Sequence, residues 1–155
     1  MIAWGGEFFG RGRIQELVSL IDIPSTLLDI GRVPIPEHYQ GRSLLPLAKG
    51  EATDWPEAVF AQISEVETGR CIRTKEYLYS VTAPDFRRGD AASDIYVEDK
   101  FYVLADDPFQ RRNLVADPKW AGKRAELRET LYAFLDKAGE KRPTILPHDA
   151  KGEAN

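Results

Sequence analysis

The stretch from Asp117 to Gly139 does most to limit what this chain can fold into. Asp117 can accept from free backbone N–H groups, Pro118 is tolerated in a first helical turn, and Gly139 can close the far end. Between them Trp120, Leu127, Leu131, Phe134, Leu135 and Ala138 recur on one face with charged residues opposite. Such a helix is stable only when its apolar face covers another layer. The preceding segment offers one. AVFAQI from Ala58, CIRT from Cys71 and YLYSV from Tyr77 are short β-branched and aromatic runs, and Lys75-Glu76 can form a tight turn between the last two. Lys100 to Leu104 is a fourth candidate, closed by Ala105-Asp106-Asp107-Pro108, because the residue before a proline is pushed out of helical geometry. The prediction is an α+β fold: a small antiparallel sheet of about four strands packed by the C-terminal helix over residues 57–139. Residues 84–94 form a polar excursion and residues 140–155 a tail.

Residues 1–56 differ in character. Ser19 to Gly31, SLIDIPSTLLDIG, reads as an apolar approach into a helix of about two turns. Asp22 is its cap, Pro24 sits in its first turn, Leu27, Leu28 and Ile30 form a short apolar face, and Gly31 ends it at positive φ. Pro34, Pro36, Gly41, Pro46 and Gly50 then punctuate a connector in which Ser43 to Leu47 is the one apolar cluster. The opening, MIAWGGEFFGRGR, has Trp4, Phe8 and Phe9 with no element to carry them, and resembles a loop from the interior of a longer protein. No basic segment followed by a long apolar core is present, so neither a signal peptide nor a membrane span is expected.

With 43% apolar and 10% aromatic residues in 155, the chain can bury a core. A net charge of −4 gives no broad positive field, which disfavours a nucleic-acid partner. The single cysteine, Cys71, excludes an internal disulfide framework and reads as a half-buried thiol. His38 and His148 have no nucleophile placed with them by sequence and read as solvated. Asp106-Asp107 could present two carboxylates to a metal, or cap backbone donors in an Asp-Asp-Pro turn. Arg70, Arg73 and Lys75 could display positive charge toward a sulfate or carboxylate, or lie on a solvated sheet face. Asn113 reads as turn chemistry. There is no glycine-rich phosphate loop, no histidine pair at helical spacing and no Gly-x-Ser-x-Gly elbow.

The order of these segments resembles the carboxy-terminal portion of the sulfatase family, within the alkaline-phosphatase-like superfamily, over nearly the whole chain. Ser19 to Gly31 is similar to the family's S-hydrophobic-hydrophobic-D-hydrophobic-x-P-T-L-L-D-hydrophobic-A-G segment, and Gln40 to Leu47 to its Q/D-G-x-S-L-x-P-L element. Gly69 to Tyr79 is similar to the R-x-I/V-R-T-x-x-Y-K-Y hairpin, and Phe101 to Leu114 to L-Y-D-L-x-x-D-P-x-E-x-x-N-L. Ser25, Arg32, Leu78, Val103 and Gln110 depart from the pattern, Arg32 standing where a glycine is usual.

The resemblance implies that residues 1–56 close the end of a catalytic α/β domain and that residues 57–139 form the smaller C-terminal subdomain. Sulfatases use a C/S-x-P/A-x-R motif matured to formylglycine and a divalent cation, typically calcium. Cys71 is followed by Ile72-Arg73 and does not match that motif, so no catalytic or metal residue carries over. The resemblance implies a fragment inactive alone that borders a pocket for a small-molecule or carbohydrate sulfate ester, with Arg70 and Arg73 as the expected substrate-side residues. The alternative is a non-enzymatic module that binds an anionic or sulfated sugar. An active enzyme in its own right ranks last.

Overall fold

In the first part of the chain, a short helix buries Asp22, Ser25 and Thr26 while its Leu27 and Ile30 are exposed. The computed structural model describes residues 5, 7, 8, 12–51, 54–85, 87 and 89–148. Trp4, Phe9 and residues 149–155 of the expected tail lie outside them. The chain divides into two compact units, Met1–Val59 and Phe60–Asn155.

In the first unit, α1 (Asp22–Ile30) and α2 (Leu45–Lys49) are joined by the proline-punctuated connector. Asp22 lies inside α1 and does not cap it; the capping position is Ile21. The Asp22 carboxylate instead accepts from the Ser19 amide at 2.7 Å and, across the connector, from the Arg42 amide at 2.9 Å. Ser25 donates to the Gly41 carbonyl at 2.9 Å, and Thr26 accepts from the Leu44 amide at 2.9 Å. All three side chains are buried, so α1 grips its own connector with its polar face. Leu44, Leu45, Leu47 and Ala48 bury a small apolar cluster around α2, which ends at Gly50 in the left-handed region. Outward, Leu20 is 82% exposed and Leu27 63%, with Ile21, Ile30 and Val33 also open. Gly31 does not take positive φ. Arg32 does, at 56°. The family glycine expected at position 32 thus corresponds to a left-handed residue that an arginine adopts only with strain.

In the second unit the sheet has five strands in the order β1-β2-β3-β4-β5: β1 (Ala58–Ile63), β2 (Gly69–Thr74), β3 (Tyr77–Thr82), β4 (Ile95–Val103) and β5 (Thr144–Leu146). β2, β3 and β4 pair antiparallel, with Ile72 opposite Tyr79 and Tyr79 opposite Phe101. Thr74 Oγ1 accepts from the amides of Glu76 and Tyr77, which fixes the tight turn at Lys75-Glu76. β4 begins five residues before the expected strand. A bulge at Asp99 lets Glu98 face Val81 while Lys100 faces Ser80. The fifth strand is a correction to the expected tail: Thr144–Leu146 pairs parallel with Ile95–Val97.

Asp117 caps a 3-10 turn through the Lys119 amide at 2.9 Å, and α3 (Ala121–Lys137) follows. Leu127, Leu131 and Leu135, at helical spacing, are buried with Ile72, Tyr79, Val81 and Phe101 in the core. Each such aliphatic side chain contributes about 1.5–3 kcal/mol. Phe134 stacks on Phe60, and Trp120 packs against Tyr77 and Phe101; Ala138 is exposed.

Candidate functional site

Side chains alternate across a strand, so Arg70 and Arg73, three positions apart on β2, point to opposite faces of the sheet. Arg70 shares the α3 side with Ile72, opposite the buried Val81, and is only 2% exposed. Its Nη1 donates to the Gly69 carbonyl at 3.1 Å, and its Nη2 to the Ala91 carbonyl at 3.0 Å and to Glu140 Oε2 at 3.1 Å. The guanidinium lies 5.7 Å from the centre of the Tyr96 ring. Its Nε is buried with no hydrogen-bond partner among the described residues.

Arg73 is half-buried on the other face, with Cys71, Ser80 and Lys100. Burial pushes the Cys71 thiol up to about 11, against the opposing pull of the Arg73 and Lys100 charges. Lys100 is paired with Asp99 at 2.8 Å. Ser80 Oγ is buried and has no partner among the described residues. The basic display expected from Arg70, Arg73 and Lys75 is therefore divided: Arg70 buried beside Tyr96 and Glu140, Arg73 on the other face, Lys75 exposed in the turn.

The remaining candidates have local partners. Asp107 accepts from the Arg112 amide at 2.8 Å, and the amides of Arg112, Arg111 and Gln110 hold its carboxyl below the usual range. That is the capping role rather than a metal pair. Asn113 accepts from the amides of Phe101 and Val115 at 3.0 and 3.1 Å and donates to the Asp99 carbonyl at 2.8 Å, fastening the loop after β4 to that strand. His38 meets Tyr39 edge-on, and His148 Nδ1 lies 3.1 Å from the Glu98 carbonyl.

Sequence reasoning did not single out Glu98. It is 4% exposed, paired with Arg124 Nε at 3.0 Å, and accepts from the Tyr79 hydroxyl at 3.2 Å. Burial and the adjacent carboxylate push the Tyr79 hydroxyl well above its ordinary value. The available signal was a glutamate directly after the apolar Ile95-Tyr96-Val97 run, a position that a buried strand tolerates only with a partner.

Among the described residues no three His, Cys, Asp or Glu side chains converge as a cation site requires. Cys71, with its raised pKa and its place in mid-strand, does not fit a maturing nucleophile. The residues described here do not fit the family's cation or formylglycine. No helix among them is long and apolar enough to cross a membrane.

Residues 1–137 match the family described as N-sulphoglucosamine sulphohydrolase, C-terminal. The chain belongs to this family. It is 26% identical over 143 residues to the N-acetylglucosamine-6-O-sulfatase of Bacteroides thetaiotaomicron, a match that covers 87% of this chain and 25% of that protein. The solved structure of a 2-O GAG sulfatase superposes with a TM-score of 0.61 at 27% identity, over 76% of this chain and 24% of its own. A protein solved with its substrate D-glucosamine-2-N,6-O-disulfate superposes with a TM-score of 0.61 at 24% identity, over 74% of this chain and 23% of its own, a likeness of fold. The chain thus spans about a quarter of the length of these relatives. In this sulfatase C-terminal domain the R-x-I-R-T motif splits between the two faces of the sheet, and the Asp-Pro and Asn-Leu pairs of the last motif build the clasp around Asp107 and Asn113.

Proposed function

We propose that this domain serves as the carboxy-terminal part of a sulfuric-ester hydrolase acting on a sulfated sugar, that it has no turnover alone, and that it completes the fold of the catalytic part and borders its substrate pocket. The observation that carries this is the inverted polarity of α1. Burying Asp22, Ser25 and Thr26 while exposing Leu27 and Ile30, with Leu20 open just before the helix, is unfavourable for a segment whose outer face meets only water. It is the arrangement expected of a helix whose outer face is covered by another apolar surface. The cation and formylglycine of the family would belong to that other part. Arg73, on the face turned from α3, is the arginine already open to an anionic substrate; Arg70 is enclosed while Glu140 holds it.

The test uses the purified chain with an aryl sulfate and calcium. No sulfate release is expected, and the chain should enhance the fluorescence of an apolar dye, an effect reduced by Leu27→Asp with Ile30→Asp. Turnover that a chelator abolishes would refute the reading. Binding of glucosamine 6-sulfate that Arg73→Ala removes, with no dye response, would favour a free-standing sugar-binding module.

A further inference from the structure

We propose that Arg70 and the hollow beside it form a binding site for a tetrahedral oxyanion, which the carboxylate of Glu140 occupies at rest. A guanidinium recognises such groups through parallel N–H pairs, and one that is removed from water needs an acceptor for each donor. Arg70 is enclosed to 2% exposure, yet its donors are incompletely used. One Nη serves its own strand, the other is divided between the Ala91 carbonyl and a single oxygen of Glu140, and Nε meets nothing among the described residues. Glu140 is a replaceable counter-ion: its side chain is one-third exposed and contacts the guanidinium through one oxygen rather than as a fork.

Tyr96 and Glu140, both in contact with Arg70, also wall a hollow of about 220 Å³ that opens to solvent. A water takes about 30 Å³ of liquid, so this volume admits a sulfate or phosphate group together with several waters. Among the described residues Lys141, on the rim, is held by Asp94 alone, and both side chains are about four-fifths exposed, so its ammonium can turn inward. The charges lining the hollow are Lys141 against Glu140 and Asp94, and Arg70 lies behind Glu140 and Tyr96. An incoming oxyanion would displace Glu140 into water and take its place on the guanidinium, using the Nε–Nη edge that one carboxylate oxygen leaves empty. The choice of a sulfate ester as natural ligand rests on the proposed function; the fork and the hollow do not.

The experiment follows the Arg70 Nε–Hε resonance by NMR in the full chain during titration with inorganic sulfate, inorganic phosphate and glucosamine 6-sulfate, with chloride at matched ionic strength as control. The expected result is a saturable shift, at least about tenfold tighter in Glu140→Gln, where a competing charge is gone. Arg70→Lys, which keeps the charge and loses the fork, should bind at least about tenfold more weakly, read from the Ala91 and Tyr96 backbone amide resonances because the variant has no Nε–Hε. A resonance that no anion moves in either the parent chain or Glu140→Gln overturns the site. A response to phosphate and sulfate without glucosamine 6-sulfate supports the site with a free oxyanion as its ligand. The turnover assay above is independent of this readout, so the two proposals can fail separately.

Discussion

Replacing Gly41 by alanine tests the connection between the connector and α1. A Cβ built on Gly41 would lie 1.9 Å from the Ile21 carbonyl oxygen, 2.4 Å from its carbon and 2.9 Å from the Asp22 nitrogen. All three are backbone atoms, so no rotamer change relieves the overlap. Carbon needs roughly 3.5 Å from a neighbour, so the connector must retreat by about 1.5 Å. That distance is enough to break the bonds from Ser25 to the Gly41 carbonyl and from the Arg42 amide to Asp22, both 2.9 Å now. Ser25 is left unpaired and Asp22 keeps only the Ser19 amide, and each such loss at a buried group costs about 1–3 kcal/mol. The total of about 3 kcal/mol or more is a large share of the stability of a small domain. The assay is hydrogen exchange at the Arg42 and Leu44 amides, with the Tyr79 and Phe101 amides in the second unit as internal reference. Gly41→Ala should abolish protection at the first pair and leave the second pair unchanged. Equal protection at Arg42 in the variant and the parent would refute the reasoning.

Arg32→Gly should stabilise by about 1 kcal/mol, because the residue holds φ 56° and a glycine adopts it freely; a rise of a few degrees in Tm measures it. Cys71 should react with iodoacetamide at pH 8 about a hundredfold more slowly than an unperturbed thiol, since its thiolate is scarce until pH nears 11. Because the folded thiol resists ionisation, the stability it contributes is complete below pH 9 and is lost as pH rises toward 11; urea midpoints across that range, compared with Cys71→Ala, check the sign. Asn113→Ala removes three hydrogen bonds at the base of the loop after β4 and should cost about 2 kcal/mol in urea unfolding. Asn113→Asp, which keeps the acceptor, should cost less.

Much of the second unit was legible from local chemistry alone. The Asp117-Pro118 start and the leucines at spacing four fix α3, and the β-branched runs fix β1 to β3, because periodicity and capping are properties of neighbouring residues. What was hidden depended on distant partners. The first half of β4 carries Glu98 and Asp99 and reads as polar until Arg124, 26 residues on, neutralises Glu98. β5 is three residues after a proline, too short for any period to show. In α1 the pattern of Leu27, Leu28 and Ile30 suggested an inward apolar face, yet the connector's backbone amides draw Asp22 and Thr26 inward instead. The separation of Arg70 from Arg73 was available from the two-residue period of a strand, but the burial of Arg70 was not, since Glu140 lies 70 residues away.

The parallel pairing of β5 sets an order in time. β1 to β4 and α3 can all assemble as they leave the ribosome, yet the outer edge of β4 at Ile95–Val97 stays bare until Thr144–Leu146 emerges. An uncovered strand edge is a template for another chain. For the interval of synthesis between residue 103 and residue 146, a nascent chain therefore exposes its own adhesive edge. Slowing translation there, or holding the chain in the exit tunnel, should govern how much of it aggregates.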